Sequence, residues 1–170
     1  MKTAGLLLML LALFLPFGCG HYPTRPAKQQ SKLPSLNGEV ELLQSWQGDF
    51  PVAQFDLLPK DLHHNSVGFI GDAETFGNIW KAFKPGTTVP GIDFKAALVI
   101  FARNTQFYNR IAIGKVNVKD GVADVLAMET RSALPIEDKV AMALVVIPRE
   151  GVTGIQSDDK IIPVTNTLNY

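Results

Sequence analysis

The sequence predicts an α+β domain, one main helix packed on a mainly antiparallel β-sheet, over residues 38–170. Three observations carry this expectation. The stretch from Asp72 to Lys84 has helical periodicity with a stop signal after it. Ala96 to Arg103 and Val140 to Ile147 are apolar in both phases, as strands covered on both faces are. Between those two, Asp120-Gly121 is a two-residue hairpin signal, which makes its flanking strands antiparallel.

In chain order, Glu39 to Trp46 and Val52 to Leu58 read as short strands around a turn at Gln47-Gly48-Asp49, and Val67 to Ile70 as another. Asp72 then suits an N-cap, because its carboxylate can accept from the free amides of the first helical turn. Glu74 suits the positive end of the helix dipole, and Lys81 and Lys84 the negative end. Phe76, Ile79, Trp80 and Phe83 fall at i, i+3, i+4 and i+7, a stripe expected to be core. Pro85-Gly86 stops the helix. Gly77 inside it costs about 1 kcal/mol against alanine, and would allow another segment to approach closely. From Arg110 to Lys119 the alternation slips: Ile111 and Ile113 share one parity, Val116 and Val118 the other. One extra residue at Gly114-Lys115, a β-bulge, would put all four on one face. Val122 to Thr130 is the return strand, Pro148 ends the segment from Val140, and Ile161 to Val164 is a last strand.

Ahead of the domain, Lys2 and the apolar run Ala4 to Phe17 read as a secretory signal peptide over residues 1–18. The run is shorter than the roughly 20 residues a membrane-spanning helix needs, and Pro16 and Gly18 end it. Cys19, the sole cysteine, follows at once, so an intrachain disulfide has no second thiol. Its place resembles the lipobox of bacterial lipoproteins, with Pro16 and Phe17 where that motif prefers leucine and a small residue. The resemblance implies a lipid on Cys19, membrane attachment through it, and an exported chain. Gly20 in place of aspartate resembles the outer-membrane class of a Gram-negative host. Residues 19–37 then form a tether, with Pro23, Pro26 and Pro34 among polar residues and no periodicity.

Composition narrows the function classes. Sixteen basic residues balance 16 acidic ones, and 46% of the chain is hydrophobic. That is ample for a folded core, and the neutral balance argues against nucleic acid, whose phosphates demand a basic face. The sequence carries no Gly-x-Ser-x-Gly elbow, His-Glu-x-x-His helix or phosphate-binding glycine loop, so no catalytic residue and no cofactor is implied. His63 and His64, with Asp61 nearby, are the weak candidates for a metal or catalytic site; adjacent side chains on a strand point apart. Ser157-Asp158-Asp159 reads as a turn with solvated acids, lacking the spaced ligands of a calcium loop. Residues Asn104 to Asn109 form a polar hairpin tip. Its Phe107 and Tyr108, which either meet a partner or equally fold back onto the sheet edge, are with Arg103 and Asn104 the candidate partner-binding residues.

The order of features from Phe76 to about Gly151 resembles the C-terminal domain of the PrcB family, bacterial surface proteins named for a protease-complex subunit. The residues that carry the resemblance are Trp80 in its helix, Pro90-Gly91-Ile92-Asp93-Phe94, the strand Ala97 to Phe101, the entry Tyr108 to Ile113, Asp120-Gly121, Pro135 and the strand ending at Pro148. Family members commonly carry a glycine-rich turn before the tyrosine, where this chain has Asn-Thr-Gln-Phe-Tyr. The resemblance implies a non-catalytic accessory module of the cell envelope that meets another envelope protein. Two alternatives stay open: a small hydrolase or metal-dependent enzyme using His63 and His64, and a carrier of an apolar ligand held between the helix and the sheet.

Overall fold

The computed structural model describes residues 37–131 and 133–164, so the expected signal peptide, Cys19 and the expected tether up to residue 36 lie outside the described residues. Within them the chain is mostly β with one α-helix, and none of its helices is long and apolar enough to cross a membrane.

The strands are β1 (Gly38–Glu39), β2 (Gln44–Pro51), β3 (Val67–Ile70), β4 (Ala97–Arg103), β5 (Phe107–Tyr108), β6 (Ile111–Lys119), β7 (Val122–Glu129), β8 (Leu134–Pro135), β9 (Lys139–Pro148), β10 (Gly154–Ser157) and β11 (Lys160–Pro163). The helix α1 is Ala73–Phe83. One sheet is too simple a description. The strands make a four-stranded sheet, β2-β9-β4-β3, a five-stranded sheet, β1-β6-β7-β10-β11, and a small ribbon, β5-β8. Every pairing is antiparallel except β10 with β7.

The four-stranded sheet lies in the middle, as its doubly apolar strands require. On one face, Val99, Phe101, Met142, Leu144 and Val146 join a cluster with Phe76, Ile79, Trp80 and Phe83 of α1. On the other, Leu98, Ile100, Ala143 and Val145 meet Ile111, Ile113, Val116, Val118 and Ile155 of the five-stranded sheet. Burying each such large side chain is worth about 1.5–3 kcal/mol. All seven residues of β4 are consequently buried.

Local signals act as the residues dictate. The Asp72 carboxylate accepts from the Thr75 amide at 2.8 Å, a cap worth about 1 kcal/mol. At the far end the Thr87 hydroxyl donates to the Lys84 carbonyl at 2.7 Å and accepts from the Trp80 indole at 3.0 Å, closing the helix. The β6–β7 register shifts between Ile113 and Lys115, so Gly114 is the extra residue of a bulge and both parities of β6 reach the core. Asp120 and Gly121 both have positive φ, 52° and 84°, the backbone of a type I′ turn.

Three expectations are corrected. Gln47-Gly48-Asp49 is no turn: β2 runs straight through it, and Val52–Leu57 is a 3-10 helix instead of a strand. Gly48 serves the packing of α1. A Cβ there would lie 2.9 Å from Lys84 Nζ and 3.1 Å from Phe83 Cε2, so the helix end rests on the bare backbone. At Gly77, by contrast, nothing comes within 4 Å of where a Cβ would stand, and no segment uses its missing side chain. A further strand, β10, carried no periodic signal of its own.

Candidate functional site

Where β2 leaves the sheet edge, a groove of about 630 Å³ opens. Its lining comes from β2 (Gln47, Gly48, Asp49), the end of α1 (Ala82, Phe83), the entry to β6 (Tyr108, Arg110) and the start of β9 (Asp138, Lys139). The antiparallel register sets Pro51 of β2 opposite Lys139 of β9, with Asp49 opposite Ala141. That places the Asp49 carboxylate within reach of Lys139, two positions further along.

Asp49 is the centre of this groove's chemistry. Its Oδ2 accepts from Lys139 Nζ at 2.8 Å, and its Oδ1 accepts from the Tyr108 hydroxyl at 2.5 Å. Lys139 Nζ also stands 5.4 Å from the Tyr108 ring centroid, near enough for a cation–π attraction. Burial pushes the Asp49 carboxyl up. Hydrogen bonds from Lys139 and Tyr108 and the positive charges of Lys139 and Arg110 outweigh it, and the group sits below the usual carboxylate range. The same hydrogen bonds raise the Tyr108 phenol and the Lys139 ammonium above their ordinary values. All three shifts lead away from neutrality. Each group therefore holds one charge state through the physiological range, the reverse of what acid–base catalysis asks.

The hairpin-tip candidates part company in the structure. Arg103 is 3% exposed and does not reach the surface. Its Nη2 donates to the His63 carbonyl, its guanidinium lies 4.5 Å from the Phe55 ring centroid, and burial lowers its pKa. The Asn104 side chain shapes the loop: Oδ1 accepts from the amides of Gln106 at 2.8 Å and Phe107 at 2.9 Å, while Nδ2 donates to Glu129 at 2.8 Å. Tyr108 turns inward to Asp49. Phe107 alone of the four is a large exposed apolar side chain, opposite Pro135 in the ribbon and next to exposed Leu134.

The histidine pair is not brought together on a ligand. His63 Nε2 lies 2.6 Å from the Leu58 carbonyl, which ties the loop after the 3-10 segment, and the two ring centroids are 6.5 Å apart. His64 and Asp61 are exposed. Among the described residues no three His, Cys, Asp or Glu side chains form a metal-binding group. Ser157-Asp158-Asp159 turns β10 into β11, and Asp158 accepts from the Ser66 hydroxyl at 2.9 Å. Between α1 and the sheet, the place an apolar ligand would need, Phe76, Trp80 and Phe83 pack against the sheet side chains.

Sequence reasoning missed Asp49, Lys139 and Arg110. Asp49 stood in a segment read as a turn. Asp138-Lys139 did leave a signal, two charges set just before a strand apolar in both phases, and such a position falls at the rim of a core. Comparison of the chain with family models, with curated proteins and with solved structures finds no match in any of the three.

Proposed function

We propose that this chain is an exported, lipid-anchored, non-catalytic binding module of the bacterial cell envelope, a PrcB-like accessory subunit of a surface complex. The observation that carries the binding half is the Asp49–Tyr108–Lys139 network in the groove. Its hydrogen bonds fix every member in its ordinary charge state, which suits recognition and disfavours proton transfer. The helix-covered antiparallel sheet supplies the rigid support such a site needs. Phe107, exposed on the ribbon that also carries Tyr108, adds an aromatic contact at the rim. Anchoring rests on the sequence alone: the signal peptide, Cys19 directly after it, and the proline-containing tether.

Two measurements test the two halves separately. Radiolabelled palmitate should enter the chain in its host and vanish from Cys19→Ala; undiminished label in the variant removes the anchor. A photo-crosslinker at position Phe107, in intact cells, should give a discrete adduct that the same probe at Lys119, on the far hairpin, does not. Identical adduct patterns from both positions would remove this surface as a binding site.

A further inference from the structure

The groove coincides with a free sheet edge. Among the described residues β2 is the outer strand of its sheet. In an antiparallel ladder alternate residues turn their peptide groups inward and outward. The Val52 amide reaches the Asp138 carbonyl at 2.9 Å, which fixes the phase. Gly48 and Phe50 thus bond toward β9, and Gln47, Asp49 and Pro51 face outward. Two of these three are already blunted. The Gln47 carbonyl accepts from the Lys84 ammonium, and Pro51 has no N–H to offer. The peptide group of Asp49 is left between them. A whole strand cannot add to such an edge, but one residue of an incoming chain can.

The cations around the same groove are unequal. Lys139 is held by Asp49, and the charge of Asp138 also bears on it. Lys84 is held at Gln47 and lies over the Phe83 ring. Arg110 is exposed and lines the groove; its carbonyl accepts from the Thr130 amide at 3.0 Å and its charge bears on Asp49, but its guanidinium makes no hydrogen bond or ion pair among the described residues. Its planar fork matches a carboxylate in two parallel bonds. Ala82, Phe83, Pro85 and Ile111 add apolar lining.

We propose that this groove binds the carboxyl-terminal end of an apolar peptide. Arg110 takes the terminal carboxylate, the Asp49 peptide group pairs with the backbone of a preceding residue, and the apolar side chains rest on Ala82 and Pro85, above the buried Phe83 and Ile111. This rests on the binding-module reading above and gives it a ligand chemistry. A peptide is favoured over a simple apolar acid because the open Asp49 amide and carbonyl need backbone partners, which a hydrocarbon chain lacks.

The test uses the purified full chain in mild detergent and a fluorescein-labelled apolar tetrapeptide, made once with a free carboxylate and once as the carboxamide. Fluorescence anisotropy should show the acid binding at least tenfold tighter than the amide. Arg110→Gln, checked for an unchanged melting temperature, should abolish that difference. Equal binding of both peptides, binding of neither, or a difference that survives in Arg110→Gln overturns the proposal. So does displacement by octanoate as effective as by unlabelled peptide, since the ligand would then be any apolar acid. The Phe107 crosslink does not depend on Arg110. A discrete adduct there with equal binding of acid and amide would leave the module standing and remove only this ligand.

Discussion

β4 and β7 are strands of similar length with opposite relations to water. Every side chain of β4 is buried, whereas β7 alternates: Ala123, Val125 and Ala127 turn to the core while Asp124, Leu126 and Met128 face out. The difference comes from the layers. The four-stranded sheet is covered by α1 on one side and by the five-stranded sheet on the other. The five-stranded sheet has only one covered face among the described residues. Apolar residues mean different things in the two places. In β4 they bind two layers together, and on the outer face of β7 Leu126 and Met128 are a neighbouring pair left exposed.

Substitutions can break that comparison. Phe101→Ala, at a fully buried position, should cost about 3–5 kcal/mol in chemical denaturation. A cost below about 1 kcal/mol would mean that the α1 side of the sheet is far looser than its packing implies. At the groove, Asp49→Asn should cost at most about 1 kcal/mol, because both partners of the ion pair are more than a third exposed. Its spectroscopic effect should be clearer. The Tyr108 phenol should titrate at lower pH in the variant, followed by ultraviolet absorbance. The sign of the wild-type pH dependence follows. Asp49 contributes stability above the ordinary carboxylate range, lost as pH falls through its lowered folded value. Tyr108 and Lys139, both raised, contribute below their ordinary values and lose it as pH rises through their folded ones. The network is therefore intact from about pH 4 to about pH 10. The smallest effect is expected on the open face. Leu126→Lys should change stability by no more than about 0.5 kcal/mol. A loss approaching that of Phe101→Ala would show that this face is covered after all.

Much of the scaffold was legible in the residues, and the reason is local. The cap at Asp72, the stripe on α1, the parity slip at Gly114 and the Asp-Gly turn all act within a few positions of themselves. β2 was misread because its glycine answers to a helix more than 30 residues later in the chain, and nothing near Gly48 announces that approach. The 3-10 segment Val52–Leu57 has a strand-like mix of apolar and polar residues, so pattern alone misplaced it. The site was hidden for the same reason as β2. Tyr108 and Lys139 come to Asp49 from 59 and 90 positions away. Tyr108 reads as an aromatic that meets a partner or folds back onto the sheet edge; it does the second, and its hydroxyl finds a carboxylate that sequence distance concealed. Arg103, named beside it, went inward because its strand is central.

The passage from β1 to β2 has a mechanical consequence. Asn37 accepts from the Asp120 amide at 2.8 Å, and Val40 donates to Val116 of the five-stranded sheet at 3.0 Å. Only three residues later Leu43 donates to Val146 of the four-stranded sheet at 2.8 Å. Tension entering the domain through the chain before Asn37 thus meets bonds on both sheets in quick succession. The load is shared across the sandwich, and the first strap to yield is the short β1 rather than the groove-bearing edge.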